Sequence, residues 1–195
     1  MYRIPTLLAL AFALTLTACD SGAEGNEQEL ITEVTVTLAN TTNASDTITI
    51  VASDSDGDGA GITFSPARVT LTPGATYTGS VELRDTINGE DITEEIEEEA
   101  EEHLFSYSVS PSTAGAVTIT DTESDYVMGD ENGGDFLVGL DFQFTVAGGA
   151  SGNGTLNAIL YHFDDEPKTG SAVTSDEIDI DIDFPVEFAT VTTAN

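Results

Sequence analysis

Lysine and arginine are nearly missing from this 195-residue sequence, where four basic residues stand against 36 acidic ones for a net charge of −32 at pH 7. Such a chain has no basic stripe for nucleic acid and would be repelled by anionic lipid headgroups, which argues against both as partners. Tryptophan is absent and only 7% of residues are aromatic, so there is no platform on which exposed bases could stack. A single cysteine, Cys19, means that no internal disulfide can staple the fold. The common catalytic signatures are also absent. There is no G-x-S-x-G elbow, S-x-x-K, H-E-x-x-H or phosphate-cradling glycine loop, and carboxylate pairs are too numerous to single out a glycosidase-like couple. The expectation is a protein without enzymatic activity.

The N-terminus supplies the most specific signal. Met1-Tyr2-Arg3 carries one positive charge, Ile4 to Leu16 is mainly apolar, and Leu16-Thr17-Ala18 precedes Cys19. The apolar run is too short to span a bilayer, and its charged start and small residues before the cut describe an export signal. A cysteine directly after Leu-Thr-Ala resembles the bacterial lipobox, which implies lipidation of the Cys19 sulfur and cleavage before it. Residues 1–18 then read as signal peptide, 19–29 as lipidated cysteine and acidic flexible tether, and 30–195 as one domain. Localisation follows as the cell envelope, with the chain anchored to a membrane through lipid. Once Arg3 is removed, Arg68, Arg84 and Lys168 face 36 acids, a net charge of −33. Self-repulsion of this size calls for a saline habitat, which shortens the Debye length to about 3 Å at 1 M salt, or for bound cations.

Acidic chains poor in aromatics are often disordered, but here 39% of residues are hydrophobic and they are periodic. Val34, Val36 and Leu38 alternate with Glu33, Thr35 and Thr37, the period of a half-buried strand. The pattern recurs at 47–50, 69–72, 77–83, 105–109, 117–119, 138–146 and 178–184, while 155–163 is apolar on both faces and reads as central. These spacings predict an all-β fold, an immunoglobulin-like Greek-key sandwich of about eight or nine strands. One segment departs from it. Ile92, Ile96, Ala100 and Leu104 fall four apart, predicting a short acidic helix over about 91–103 with Asp91 and Glu94 as its capping box. Like-charge pairs such as Glu94/Glu98 and Glu95/Glu99 oppose that helix, so it must be held by packing its isoleucines against the sandwich.

Asp54-Ser55-Asp56-Gly57-Asp58-Gly59 has the alternating-carboxylate spacing of calcium loops, with glycine permitting the turn. Asp54, Asp56 and Asp58 are therefore candidate Ca²⁺ ligands, although the twelfth position is Ser65 rather than a bidentate glutamate. A polar hairpin loop is the competing reading. Asp125, Asp130, Glu131 and Asp135 form a second acidic loop, and Asp164, Asp165 and Glu166 a third. Asp179, Asp181 and Asp183 should project from one strand face about 7 Å apart, as a charged edge against sheet-to-sheet association. His103 and His162, the only histidines, could with Glu99 form a transition-metal set if the fold brings them together.

Three passages carry a resemblance. They are the Asp54–Gly59 loop, the strand Tyr77–Leu83 leading into Glu90–Glu99, and Tyr161-His162 followed by Pro167-Lys168. With them the chain resembles a group of small, acidic, secreted bacterial lipoproteins without assigned function, sometimes labelled as periplasmic-binding-fold proteins. The strand pattern does not match that α/β architecture. The resemblance implies an envelope location and supplies no catalytic residue. The resulting expectation is a lipid-anchored binding or surface-structural module, Ca²⁺-supported, with an envelope protein or saccharide as partner. A solute-binding lipoprotein of a transport system and an envelope hydrolase are the rival readings.

Overall fold

Alternating apolar residues become ten strands in a computed structural model, which describes residues 29–43, 45–126, 135–163, 168–175 and 177–189. In chain order these form β1 (Glu33–Asn40), β2 (Thr47–Ser53), β3 (Thr63–Ser65), β4 (Val69–Leu71), β5 (Thr76–Arg84), α1 (Ile92–Glu98), β6 (His103–Ser110), β7 (Gly115–Ile119), α2 (Glu123–Tyr126), β8 (Asp141–Val146), β9 (Gly152–His162) and β10 (Glu177–Phe188). One sheet runs β3-β2-β1-β5-β8-β7 and the other β4-β10-β9-β6. All pairings are antiparallel except β4 with β10. The chain crosses repeatedly between the sheets, giving the expected all-β sandwich of two sheets. Among the described residues no helix is long and apolar enough to cross a membrane.

Period-2 patterning does the sorting. In β1 the alternation of half-buried and buried positions is unbroken along the strand, and Val34, Val36 and Leu38 face the core opposite Leu83, Val81 and Gly79 of β5. Tyr77, Phe142, Phe144, Phe184 and Phe188 fill the space between the sheets, each essentially removed from solvent. Burying each such ring contributes about 1.5–3 kcal/mol, which is how the fold stands without a disulfide. Gly79 is required by this packing, because a Cβ there would lie 2.3 Å from the Phe142 ring.

Several elements differ from the sequence expectation. The strand expected at 138 begins only at Asp141, because Gly139 adopts φ +97 and breaks the ladder while Phe105 occupies the space beside it. β3 was not expected, since three residues are too few to show a period. The helix expected over 91–103 ends at Glu98. Ile92, Ile96 and Ala100 are buried as the stripe predicts, but the last turn carries no basic residue to offset the dipole, and His103 is already committed to β6. The Asp91 side chain makes no capping hydrogen bond; it pairs with Arg84 at 3.4 Å instead. Finally, β10 is not an edge. It lies between β4 and β9, and a register irregularity between Ile178 and Ile180 breaks its alternation. Asp181 and Asp183 remain exposed, whereas the Asp179 side chain is turned inward and is only 1% exposed.

Candidate metal centre

The bulge in β10 and the first pair of the β6–β9 ladder meet at one point. His103 opens β6 and His162 closes β9, and they stand directly opposite in register. Their rings lie 4.5 Å apart and tilted by 31°. Both are buried. A bulge places two residues against one and re-aims a side chain, and here it swings Asp179 under the two imidazoles. Asp179 Oδ1 lies 3.6 Å from His162 Nδ1 and Oδ2 lies 3.9 Å from His103 Nε2. His103, His162 and Asp179 thus bring ligand atoms within 4.8 Å of one another.

The hydrogen bonds around His103 decide what these atoms can do. Its Nδ1 sits 3.1 Å from the Glu99 carbonyl oxygen, which can only accept, so Nδ1 carries the proton and Nε2 presents a lone pair. That lone pair faces Asp179 Oδ2, another acceptor, and neither atom has a hydrogen-bond partner. Two buried acceptors aimed at one gap are costly unless something positive lies between them. Zn²⁺ bound at about 2.0–2.2 Å to nitrogen and oxygen would hold tetrahedral donors about 3.3–3.4 Å apart, and the two histidine–carboxylate spacings of 3.6 and 3.9 Å lie within a few tenths of an ångström of that. A histidine whose far nitrogen donates to a carbonyl is the usual outer support of a metal-ligating imidazole.

The turn that carries His103 is fixed from behind by Lys168. Its Nζ donates to the carbonyl oxygens of Ala100 at 2.6 Å and His103 at 2.5 Å and pairs with Glu123 Oε1 at 3.4 Å. Burial pushes the ammonium down to about 8 while Glu123 opposes the shift. Engaged in this way, the lysine sets the backbone of the site and does not fill the gap between His103 and Asp179.

On the outer side, Glu29, Glu99 and His103 form a second group within 4.8 Å. Glu29 is half-buried, and desolvation together with the carboxylates of Glu95, Asp179 and Glu99 raises it to about 7. A cleft of about 460 Å³ opens beside Asp179, lined among others by Glu29, Asp54, Asp58, Ile178 and Asp181. The Asp54 loop forms its far wall. Asp54, Asp56 and Asp58 converge within 4.8 Å, but Asp54 Oδ2 already accepts the Gly59 N–H at 2.7 Å and Asp58 Oδ1 accepts that of Ala60 at 2.8 Å. These bonds close the loop in the manner of Asx turns.

Of the other sequence candidates, Asp125 Oδ2 accepts the Thr122 N–H at 2.8 Å, capping α2, and Asp135 is exposed. Cys19, Asp130, Glu131 and Asp164 to Glu166 lie outside the described residues. Sequence reasoning grouped His103 and His162 with Glu99 and missed Asp179 and Glu29. Asp179 reads as one more outward aspartate in an alternating row, and only the bulge separates it from Asp181.

The site gives acid lability a definite sign. Burial and the neighbouring His162 lower His103 to about 4, against 6.5 for an ordinary histidine. The metal-free native state therefore binds this proton less readily than the unfolded chain, so stability from this group is complete above pH 6.5 and is lost as pH falls through 4. Urea midpoints of metal-free protein between pH 7 and 4 should decline more steeply for wild type than for His103→Leu; parallel declines would remove His103 from the account.

No protein-family model matches the sequence, and no curated protein matches it. Among solved structures, domains 5–6 of the S-layer protein SbsC match with a TM-score of 0.30 and 15% identity over 62% of this chain. The chain spans 39% of that structure's length.

Proposed function

We propose that this chain is a lipid-anchored, extracytoplasmic β-sandwich module that binds a divalent transition metal between β6, β9 and β10 and has no catalytic turnover. The observation that carries the reading is the pair of buried, partnerless acceptors, His103 Nε2 and Asp179 Oδ2, aimed at each other across 3.9 Å with His162 on the same carboxylate. Two imidazoles and one carboxylate suit Zn²⁺ and neighbouring first-row ions and are a poor set for Ca²⁺, which takes oxygen ligands. The export signal and Cys19 support the envelope location, where an envelope protein or saccharide is the expected partner of the surface. Titration of the metal-free, mature chain with Zn²⁺ by calorimetry should give one tight site that His162→Ala weakens at least about a hundredfold. Heat that is weak, multi-site and abolished by molar NaCl would reduce the site to a diffuse ion atmosphere.

The convergence of Asp54, Asp56 and Asp58 supports a second, independent reading, a Ca²⁺-supported loop. Its signature is Ca²⁺ heat that persists in high salt, survives His162→Ala and disappears in Asp56→Asn/Asp58→Asn.

A further inference from the structure

We propose that Glu29 is the fourth ligand of the metal held by His103, His162 and Asp179, so that the centre is closed and ties the start of the domain to its distant strands. The inference rests on the metal reading above and goes beyond it by deciding between a closed, structural sphere and an open, reactive one. Structural zinc sites are four-coordinate with protein ligands only, whereas catalytic ones keep a position for water or substrate.

Two carboxylates on the outer side compete for the fourth position, and the geometry separates them. Glu99 is exposed at the end of α1; it also meets His162 and groups with His103, but its neighbouring acids Glu102, Glu95 and Glu101 are on its own segment and it does not line the cleft. Glu29 is half-buried and lines the cleft together with Asp179, its charged neighbours include Asp179 and His162, and its carboxylate, like that of Glu99, lies within 4.8 Å of a His103 ring nitrogen. Three carboxylates thus meet two imidazoles, and Lys168 behind them is engaged by backbone carbonyls and Glu123. A dication is what such an arrangement lacks.

The placement of Glu29 is not incidental to the fold. Immediately after it, the Leu30 side chain lies over the Asp54 loop, where a Cβ on Gly57 would come within 2.4 Å of it, and the Thr32 N–H donates to the Arg84 carbonyl at 3.0 Å. The backbone is therefore held so that residue 29 stands at the cleft. Asp179 and Glu29 line that cleft whereas His103 and His162 do not, so these two carboxylates are the members of the set that meet the cleft. In sequence Glu29 is ten residues beyond Cys19. Ion occupancy would fix the domain's orientation at its anchored end.

Cobalt substitution reads this directly, because four-coordinate Co²⁺ absorbs strongly in the visible and five- or six-coordinate Co²⁺ weakly. The mature wild-type chain should bind one Co²⁺ with an intense band that added azide leaves unchanged. Glu29→Gln should retain one Co²⁺ with about tenfold or greater loss of affinity, a weaker band, and a new response to azide. Glu95→Gln, which removes a neighbouring charge without touching a ligand, should keep the wild-type spectrum, and circular dichroism verifies the fold of each variant. An unchanged spectrum and affinity in Glu29→Gln overturns the Glu29 assignment and leaves the three-ligand site standing. An azide response in wild type overturns it too, and indicates an open sphere. Failure of wild type to bind Co²⁺ or Zn²⁺ overturns both readings.

Discussion

Zn²⁺ at a thousandfold excess over its dissociation constant should raise the unfolding free energy by about 4 kcal/mol, which for a domain of this size moves the thermal midpoint by roughly 8–16 °C. The effect is large because the ligands lie on three strands far apart in sequence and converge only in the folded chain. Asp179→Asn provides the diagnostic. In the metal-free protein an amide N–H can donate to the His103 Nε2 lone pair, where the aspartate offers only a second acceptor. The variant should therefore be more stable than wild type without metal, by about 1 kcal/mol, and yet lose almost all of the zinc response. A stability deficit in metal-free Asp179→Asn, or a zinc shift of wild-type size, would show that the gap is not a metal site. A residue kept at a cost to the empty fold is explained by what fills the gap.

The sandwich was legible because its physics is local. A strand buried on one face must alternate, and eight of the ten strands announce themselves by that alternation, from Val34 to Phe184, while β9 shows as a run apolar on both faces. The misses have local causes too. β3 is three residues long, and the strand start at Asp141 depends on one glycine in a left-handed conformation. The helix shows the limit more sharply. Ile92, Ile96, Ala100 and Leu104 are all buried as a helical stripe requires, yet Leu104 reaches the core from β6, so spacing alone did not locate the helix end. The candidate metal centre was half legible. Two histidines in an acidic chain are conspicuous, but their adjacency is a property of the β6–β9 register. The third candidate ligand, Asp179, arises from a bulge, a defect in periodicity that nothing in the Asp179, Asp181, Asp183 row discloses. Sequence reasoning weighted the Asp54 loop above the histidines because its spacing is contiguous; in the fold that loop is closed by its own backbone amides.

Replacement of Lys168 should produce the largest loss of stability from a single surface-remote charge. The side chain is essentially buried, and it is joined to the Ala100 and His103 carbonyl oxygens and to Glu123, itself 2% exposed. Lys168→Met fills the space but strands the Glu123 carboxylate and two carbonyl oxygens, so the expected cost is about 3–5 kcal/mol. The burial that pushes the ammonium down to about 8 shows that the charge is not free to the fold, and this is why the pair matters more than the lysine. In Lys168→Met/Glu123→Gln neither member of this pair is left as an unpaired buried charge, and most of the loss should return; a double-mutant cycle in urea measures the coupling. Additive losses would mean that Lys168 acts through the two carbonyl oxygens alone. The cycle also reports on the metal centre, since the His103 carbonyl is held by this ammonium. If Lys168 positions the imidazole, the double variant should recover stability while its zinc affinity stays about tenfold or more below wild type. If affinity returns together with stability, β6 and β9 place His103 without help.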